Sequence, residues 1–461
     1  VRQLAYKVTI PDSEIALLGS GATPVVPGFT TTNGKLQNVL VSGKYAYVAA
    51  GGANSTGTIG LSLVIYDVSD VTNPTAVGYL TTGTVPWVSG ASYLNGSYKM
   101  DINGKYLYVF SSGSSYMYIV DVSNPTTPTN ISRLLISNSP GSLYNGVYSN
   151  GYCYISTQNK GLTIVDVSNP LSPTQVYQEG GTTNKSLGVA IYGTVCFTTN
   201  YQTTAPWTVR YLKAWNVATP TAPVLLSTYT LPAGTKPGTV AVDSHYAYVA
   251  DYNTNRIQIV DISNLLSMNY ISYMQASATF SVESNALFDV KVTDKYAYIC
   301  SGGNATYGGA IDFYDITTPA SPVLVKTYKQ NVANSAFGTG VIVNNVLYVA
   351  NYGISPGNAG SLNTYSVQSY ASNPIKVVNM VNSSVQLIVS NSSAAGVFSI
   401  QGSDDITGVG MYTTLPNGAI TVSGAGTYLT PSLDTCYQYI RVTYTNTGTG
   451  GLVSQLKFLN S

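Results

Sequence analysis

The chain has 461 residues, more than one ordinary core accommodates, so two domains or a repeat array are expected. About 44% is hydrophobic, but charge is scarce: 20 Lys and Arg against 19 Asp and Glu, 8% of residues and a net +1, where an average soluble domain carries about 25%. That balance excludes broad electrostatic capture of nucleic acid or of an anionic membrane, leaves solvation to Thr, Ser, Asn, Gly and the 39 tyrosines, and suits self-association. No apolar run reaches the roughly 18 residues of a membrane helix, so no membrane insertion is expected. Cys153, Cys196, Cys300 and Cys436 are too scattered for a disulfide framework, and no C-x-x-C pair offers a zinc site.

In chain order, two short alternating segments come first, "YKVTI" (6–10) and "EIALLGS" (14–20). A two-part phrase then recurs. Its first half is an alternating strand, a tight Gly, Asn or Asp turn and a Tyr-rich strand, as in "VLVSGKYAYVA" before Asp67 and "MDINGKYLYVF" before Asp121. That is a hairpin signature. Its second half is a strand ending in a short oxygen-bearing residue and a proline turn: "LVIYDVSDVTNP", "MYIVDVSNPTTP", "LTIVDVSNPLSP", "LKAWNVATPTAP", "IQIVDISNLLSM", "IDFYDITTPASP" and "LNTYSV". The anchor residues are Asp67, Asp121, Asp166, Asn216, Asp261, Asp315 and Ser366, spaced 54, 45, 50, 45, 54 and 51 residues apart.

About four short strands in each period of that length predict a β-propeller blade, and seven phrases predict seven blades. The phrase resembles the LVIVD-repeat family, over roughly residues 30 to 370 and best in the first three copies. The resemblance implies a propeller and no particular activity. Ring closure is expected to use one of the two N-terminal segments as the missing outer strand of the last blade. The anchors are read as turn formers, because Asn216 and Ser366 keep a short acceptor without the carboxylate that a metal or a catalytic acid would need. Tyr45 and Tyr47, Tyr246 and Tyr248, and Tyr296 and Tyr298 are read as core, with an aromatic sugar platform as the alternative.

The propeller is expected to span residues 1–370, followed by a linker at 371–374 and a β-sandwich at 375–461. The tail reads as alternating strands, "IKVVNMV", "VQLIVSN", "VFSIQGS", "AITVSGAGTYL" and "YQYIRVTYT". Its pieces "FSIQGSDD", "GAGTYL", "CYQYIRVTYT" and "GTGGLVSQLKF" resemble a C-terminal sandwich of phage and large-virus structural proteins. The Trp usual after that family's "SxD" turn is absent from "DITGVGMYTTLP". Few charges guard the tail's strand edges (Lys376, Arg441 and Lys457), so the principal contacts to other subunits or to a host structure, in a larger extracellular assembly, are expected there.

Catalytic chemistry finds little purchase. The single histidine, His245, lies in a hairpin turn, and no G-x-S-x-G elbow is present. Carboxylates outside the anchors include Asp101, Asp243, Glu283, Asp289, Asp294 and Asp312; a glycosidase would need two such groups to converge. Calcium could be held by "DYNTN" (Asp251, Asn253, Asn255) or by Asp404 and Asp405, although polar turns explain both. No other cofactor is implied. N-x-S/T sequons stand at Asn54, Asn95, Asn130, Asn184, Asn304, Asn382 and Asn391. These features lead to the expectation of a non-enzymatic extracellular protein of a virion, fibre or cell-surface filament. The alternative is a secreted propeller that binds or cleaves carbohydrate.

Overall fold

The computed structural model of the chain describes residues 4–10, 16–22, 35–51, 61–81, 99–111, 115–137, 141–180, 184–202, 210–277, 288–293, 296–302, 309–329, 335–343, 346–353, 361–366, 370–371, 375–376, 380–389, 395–403, 413–423, 426–429, 433–435, 439–446 and 452–460. Every regular element among them is a β-strand. The chain divides into two compact units, residues 17–365 and the combination of 1–16 with 366–461.

The first unit is a seven-bladed propeller. Blades one to six occupy residues 35–81, 99–135, 143–178, 184–230, 237–275 and 288–329, each an antiparallel four-stranded sheet in sequence order from the axis outward. The seventh takes its three inner strands from 335–366 and its outer strand from Ala16–Ala22. Of the two candidate closing segments, the second therefore closes the ring. The first strand of the seventh blade, Ser335–Val343, lies against that of the first, Lys35–Ser42, as each other first strand lies against its successor.

Face-to-face blade packing follows from strand alternation. In the second strand of blade one, Ala46, Val48 and Ala50 pack with Tyr348, Ala350 and Leu362 of blade seven, whereas Tyr47 and Ala49 pack with Met100, Leu107 and Tyr118 of blade two. The second tyrosine of each pair is core: Tyr47, Tyr248 and Tyr298 are buried, and Tyr45, Tyr246 and Tyr296 are half-buried. In the tight turns, Gly43, Gly104 and Gly193 adopt positive φ with open space around them, so backbone conformation rather than crowding requires glycine there.

The anchor phrase has a physical account at each position. Asp166 Oδ1 accepts from Ser168 N at 2.9 Å and Ser168 Oγ at 2.6 Å. Val167 is buried, and its N–H donates to Gly151 O at 2.8 Å, tying the strand end to the preceding hairpin. Asn169 Oδ1 then accepts from Leu171 N at 3.2 Å, and the proline between them fixes φ for the turn closed by Ser172 N to Asn169 O at 3.0 Å. The first of these bonds recurs at Asp67, Asp121, Asp261 and Asp315, and Asn216 makes it to Ala218 N at 2.9 Å. The side chain of Ser366 lies outside the described residues. In blades one to six a register shift bulges the outer strand, and the residue beyond can reach the next blade's turn. Ser132 Oγ donates to Pro170 O and Ser272 Oγ to Pro319 O, both at 2.5 Å.

The second unit contains two antiparallel sheets. One joins Leu4–Ile10, Leu452–Asn460, Met380–Val389 and Gly426–Leu429, with Leu433–Thr435 on its flank. The other joins Tyr370–Ala371, Tyr439–Asn446, Ala395–Ser403 and Thr413–Ser423, with Ile375–Lys376 on its flank. The expected boundary at residue 370 thus moves at both ends. Residues 4–10, expected in the propeller, pair in full register with the C-terminal strand, from Leu4 opposite Phe458 to Ile10 opposite Leu452. The ring needs one outer strand, which Ala16–Ala22 supplies, and the edge of Leu452–Asn460 provides a ladder for the other.

Candidate functional site

The two faces of the propeller differ. Hairpin turns and anchor turns leave from one face and are short and uniform. Connections from second to third strand, and from an outer strand to the next blade, leave from the other. They range from the three residues 158–160 to the seventeen residues 82–98, and they account for the unequal repeat spacing. Repeat proteins place such variation on the face that binds.

Toward that face the interior turns polar. In blades three to six the second strand ends polar, as where Cys196 and Phe197 lead to Thr198, Thr199 and Asn200, all buried. Asn38 Nδ2 donates to Thr339 Oγ1 at 2.6 Å across the closure between blades one and seven, and Thr199 Oγ1 donates to Gly238 O at 2.5 Å between blades four and five. Asn38 Oδ1 and Ser186 Oγ, both on first strands, are buried without a hydrogen-bond partner among the described residues.

Around the axis the same end carries a charged and aromatic cluster. Lys99, at the start of the first strand of blade two, reaches Asp289 of blade six with Nζ to Oδ2 at 3.3 Å, both side chains less than a tenth exposed. Lys291 Nζ lies 3.6 Å from the same oxygen. Burial pushes the Lys99 ammonium below its ordinary range, and Asp289 only partly offsets this. Burial pushes the Asp289 carboxyl up, but Lys291 and Lys99 outweigh it and hold it low. Tyr252 lies within electrostatic range of Asp289, and Tyr201 and Tyr144 lie within range of Tyr252 and of each other. Lys236 Nζ sits 5.5 Å from the centre of the Tyr201 ring, and burial and Lys185 both push its ammonium down. Register shifts in the first strands shape this end: that between Leu143 and Asn145 leaves Tyr144 unpaired, and the shift between Pro237 and Val240 brings Gly238 under the Tyr252 ring, where a Cβ would collide.

The sequence-derived candidates fall differently. The anchors and His245 lie at the opposite, turn-bearing face. His245 Nδ1 is 2.6 Å from Ser244 Oγ, while Asp243 accepts from the His245 backbone N–H rather than from the ring, so no triad forms. Asp243 also accepts from Tyr246 N and Tyr248 Oη. Asp101 accepts from Ile102 N at 2.8 Å and Tyr148 N at 2.6 Å, and Asp312 from Ser277 N and Thr327 Oγ1, both at 2.7 Å. Each is a structural acceptor for its own neighbours.

In "DYNTN", Asp251 is fully buried and accepts from Lys236 N, Asn253 N, Thr254 Oγ1 and Gln258 Nε2, organising the loop that carries Tyr252. Asn253 Nδ2 donates to Gly234 O at 2.8 Å. Among the described residues no group of three or more His, Cys, Asp or Glu is arranged to hold a metal. Cys153, Cys196 and Cys300 are buried free thiols, and burial pushes Cys300 up to about 12, far from an activated nucleophile.

Glu283, Asp294, Asp404, Asp405, Cys436, Asn54, Asn95, Asn304 and Asn391 lie outside the described residues, as do the side chains of Asn184 and Asn382. With its amide oriented to satisfy both partners, Asn130 Nδ2 donates to Ile119 O and Ser132 O at the outer-strand bulge.

The axial lysines and tyrosines are not legible as a motif, but a register signal exists. In a chain so poor in charge, Lys35, Lys99, Lys185 and Lys236 all stand within one residue of the start of a first strand.

A ring of seven four-stranded blades, closed by an N-terminal strand and bearing its long connections on one face, defines a seven-bladed β-propeller. The LVIVD-repeat model matches residues 33–82, 98–135, 147–178, 236–275 and 288–330, five of the seven blades. The two left out are those anchored by Asn216 and Ser366.

Among solved structures, the chain is similar to the β-propeller domain of Cps50 (Swd1) from Myceliophteria thermophila, at 12% identity and a TM-score of 0.47, covering 73% of this chain and 100% of that one. It is similar to a protein from Lactobacillus plantarum at 9% identity and 0.45, covering 67% and 92%. A candidate 6-phosphogluconolactonase from Bacteroides fragilis follows at 9% and 0.47, covering 71% and 92%. Scores this low carry nothing about function, and the fold rests on the strand pairing. Comparison with curated proteins gives no match.

Proposed function

We propose that this chain is a non-enzymatic extracellular surface protein of a virion, fibre or cell-surface filament, in which the propeller is a rigid module and the two-sheet unit serves attachment or assembly. One observation carries the reading. The two-sheet unit draws strands from both chain ends, Leu4–Ile10 and residues 366–461, so the propeller is an insertion whose two connections both leave the seventh blade. A closed ring has no free inner edge, whereas the two-sheet unit has open edges of the kind that pair with further strands. The scarcity of charge removes one common guard against such pairing. The separate commitments of Asp101, Asp243 and Asp312 also favour binding over glycoside cleavage.

Solution mass of the full chain and of residues 17–365 tests this. The full chain should assemble, and the excised propeller should fold and stay monomeric. An excised propeller that reproduces the native oligomer would transfer the assembly role to the blades. Turnover of a glycoside panel by the full chain would overturn the non-enzymatic reading.

A further inference from the structure

The strand Leu4–Ile10 precedes the propeller in sequence, yet it completes a sheet whose other strands all follow the propeller. Among the described residues, those from 370 to 460 pair among themselves into two antiparallel sheets, and Leu4–Ile10 joins them along one edge of Leu452–Asn460. That edge is specific in what it accepts. Strand alternation puts Leu4, Tyr6, Val8 and Ile10 on one face and Ala5, Lys7 and Thr9 on the other. The register extends the first set into rows across three strands: Leu4–Phe458–Val385, Tyr6–Leu456–Leu387 and Val8–Ser454–Val389. These rows are apolar except at Ser454, whereas Ala5 stands opposite Lys457 and Lys7 opposite Gln455. A slip of one residue would interchange the two faces, so the edge takes this pattern in this register. Without such a strand, Leu452–Asn460 would end the sheet in a row of unpaired N–H and C=O groups, the condition that a donated strand relieves.

Its own copy is one source of that strand, and another copy is an equal one. Exchange alters none of the seven residue pairs, because donor and acceptor residues are the same either way. The two arrangements differ in where residues 11–15 lead, since these five join the strand to Ala16–Ala22 of the seventh blade. The strand's effective concentration within its own copy then competes with the concentration of copies. Scarce charge weakens the repulsion that would keep copies apart. The other edges of this unit are poorer places for a second copy. Gly426–Leu429 and Leu433–Thr435 are short, and Tyr370–Ala371 and Ile375–Lys376 have two residues each. Thr413–Ser423 contains Pro416, and its pairing with Ala395–Ser403 is interrupted by a register shift.

We propose that Leu4–Ile10 is a donor strand exchanged between copies of this chain, so that each copy completes the C-terminal sheet of another. This rests on the assembly reading of the two-sheet unit and names both its partner, a second copy, and the element that joins them.

Lys7 and Gln455 are directly opposite in the ladder, so cysteines at both positions can close a disulfide wherever the strand is seated. The test uses the full chain with Cys436→Ser, assembled, oxidised, then denatured without reductant and sized. The Lys7→Cys/Gln455→Cys variant should give covalent dimers and larger species. A mixture of Lys7→Cys chains with Gln455→Cys chains should link one to the other, and the Gln455→Cys chain alone should not link. Deleting residues 1–15 should leave a monomer that binds a peptide of residues 4–10, and the same peptide with Val8→Lys should bind at least tenfold more weakly. Two results overturn strand exchange and leave the assembly reading standing: an assembled double variant whose disulfide closes within one copy, or a 1–15 deletion that assembles unchanged. A full chain that is monomeric in solution overturns both.

Discussion

Replacing Lys99 with Met tests whether the ring is stitched across its axis. At 3.3 Å the Lys99–Asp289 attraction is about 5 kcal/mol at an effective dielectric of 20, before the cost of desolvating both groups. Breaking a buried pair by removing one partner generally costs about 3–5 kcal/mol, because the other charge is left unpaired. Lys99→Met should fall below that range, near 2 kcal/mol, since Lys291 remains 3.6 Å from the carboxylate. Asp289→Asn should cost about 3 kcal/mol, because it leaves Lys99 buried without its counterion. The Lys99→Met/Asp289→Asn double variant should cost clearly less than the sum of the single ones.

The pH dependence carries a sign. Burial holds Lys99 below its unfolded value of 10.5, so between the two values the unfolded chain binds more protons. Stability therefore rises with pH across that window, and the deficit of Asp289→Asn should shrink as pH climbs from 7 toward 10. Calorimetric melting of the full-length variants measures each leg. Single substitutions that add to within about 0.5 kcal/mol would refute a direct pair between the second and sixth blades.

Other outcomes follow from the anchors and the chain ends. Asp166→Asn keeps an acceptor for Ser168 and should cost under about 1 kcal/mol, whereas Asp166→Ala removes both bonds and should cost about twice as much by urea unfolding. The Asp67 carboxyl falls to about 2 because the Ser69 hydroxyl and N–H donate to it, and Asp121 and Asp261 are lowered for the same reason. A lowered carboxylate contributes stability that is complete above the unfolded value of 3.8 and is lost as pH falls toward the folded one. Melting temperature should therefore hold between pH 7 and about 5 and drop below about 4; a profile still flat at pH 3 would contradict the turn bonds. Deleting residues 1–15 should lower only the transition of the two-sheet unit, whereas deleting 1–22 should also destabilise the propeller by removing its last outer strand. Calorimetry that shows the same effect for both deletions would contradict the split use of the N-terminus.

The repeat, its period and its turn chemistry were written locally, which is why the blade count, the hairpins and the anchors could be read from the sequence. A strand that ends in Asp-Val-Ser-Asn-Pro needs only neighbouring residues to define its turn: Asp166 bonds Ser168, and Asn169 bonds Leu171. The need for an N-terminal outer strand was legible for the same reason, since the seventh phrase lacked one. Which of the two segments supplied it was not. "YKVTI" and "EIALLGS" are equally strand-like, and only the open edge at Leu452–Asn460, more than 400 residues away in sequence, decided between them.

The axial cluster was hidden for a deeper version of that reason. Lys99 and Asp289 are 190 residues apart, in blades that are not neighbours, and their meeting is a property of ring closure alone. Packing of consecutive blades gave Asp101 a partner in the Tyr148 N–H and left Lys236 beside Tyr201. Sequence fixes what a residue does within its own blade, because ladders and turns are short-range. What stands around the axis depends on where seven separate first strands converge, and no stretch of sequence contains that information.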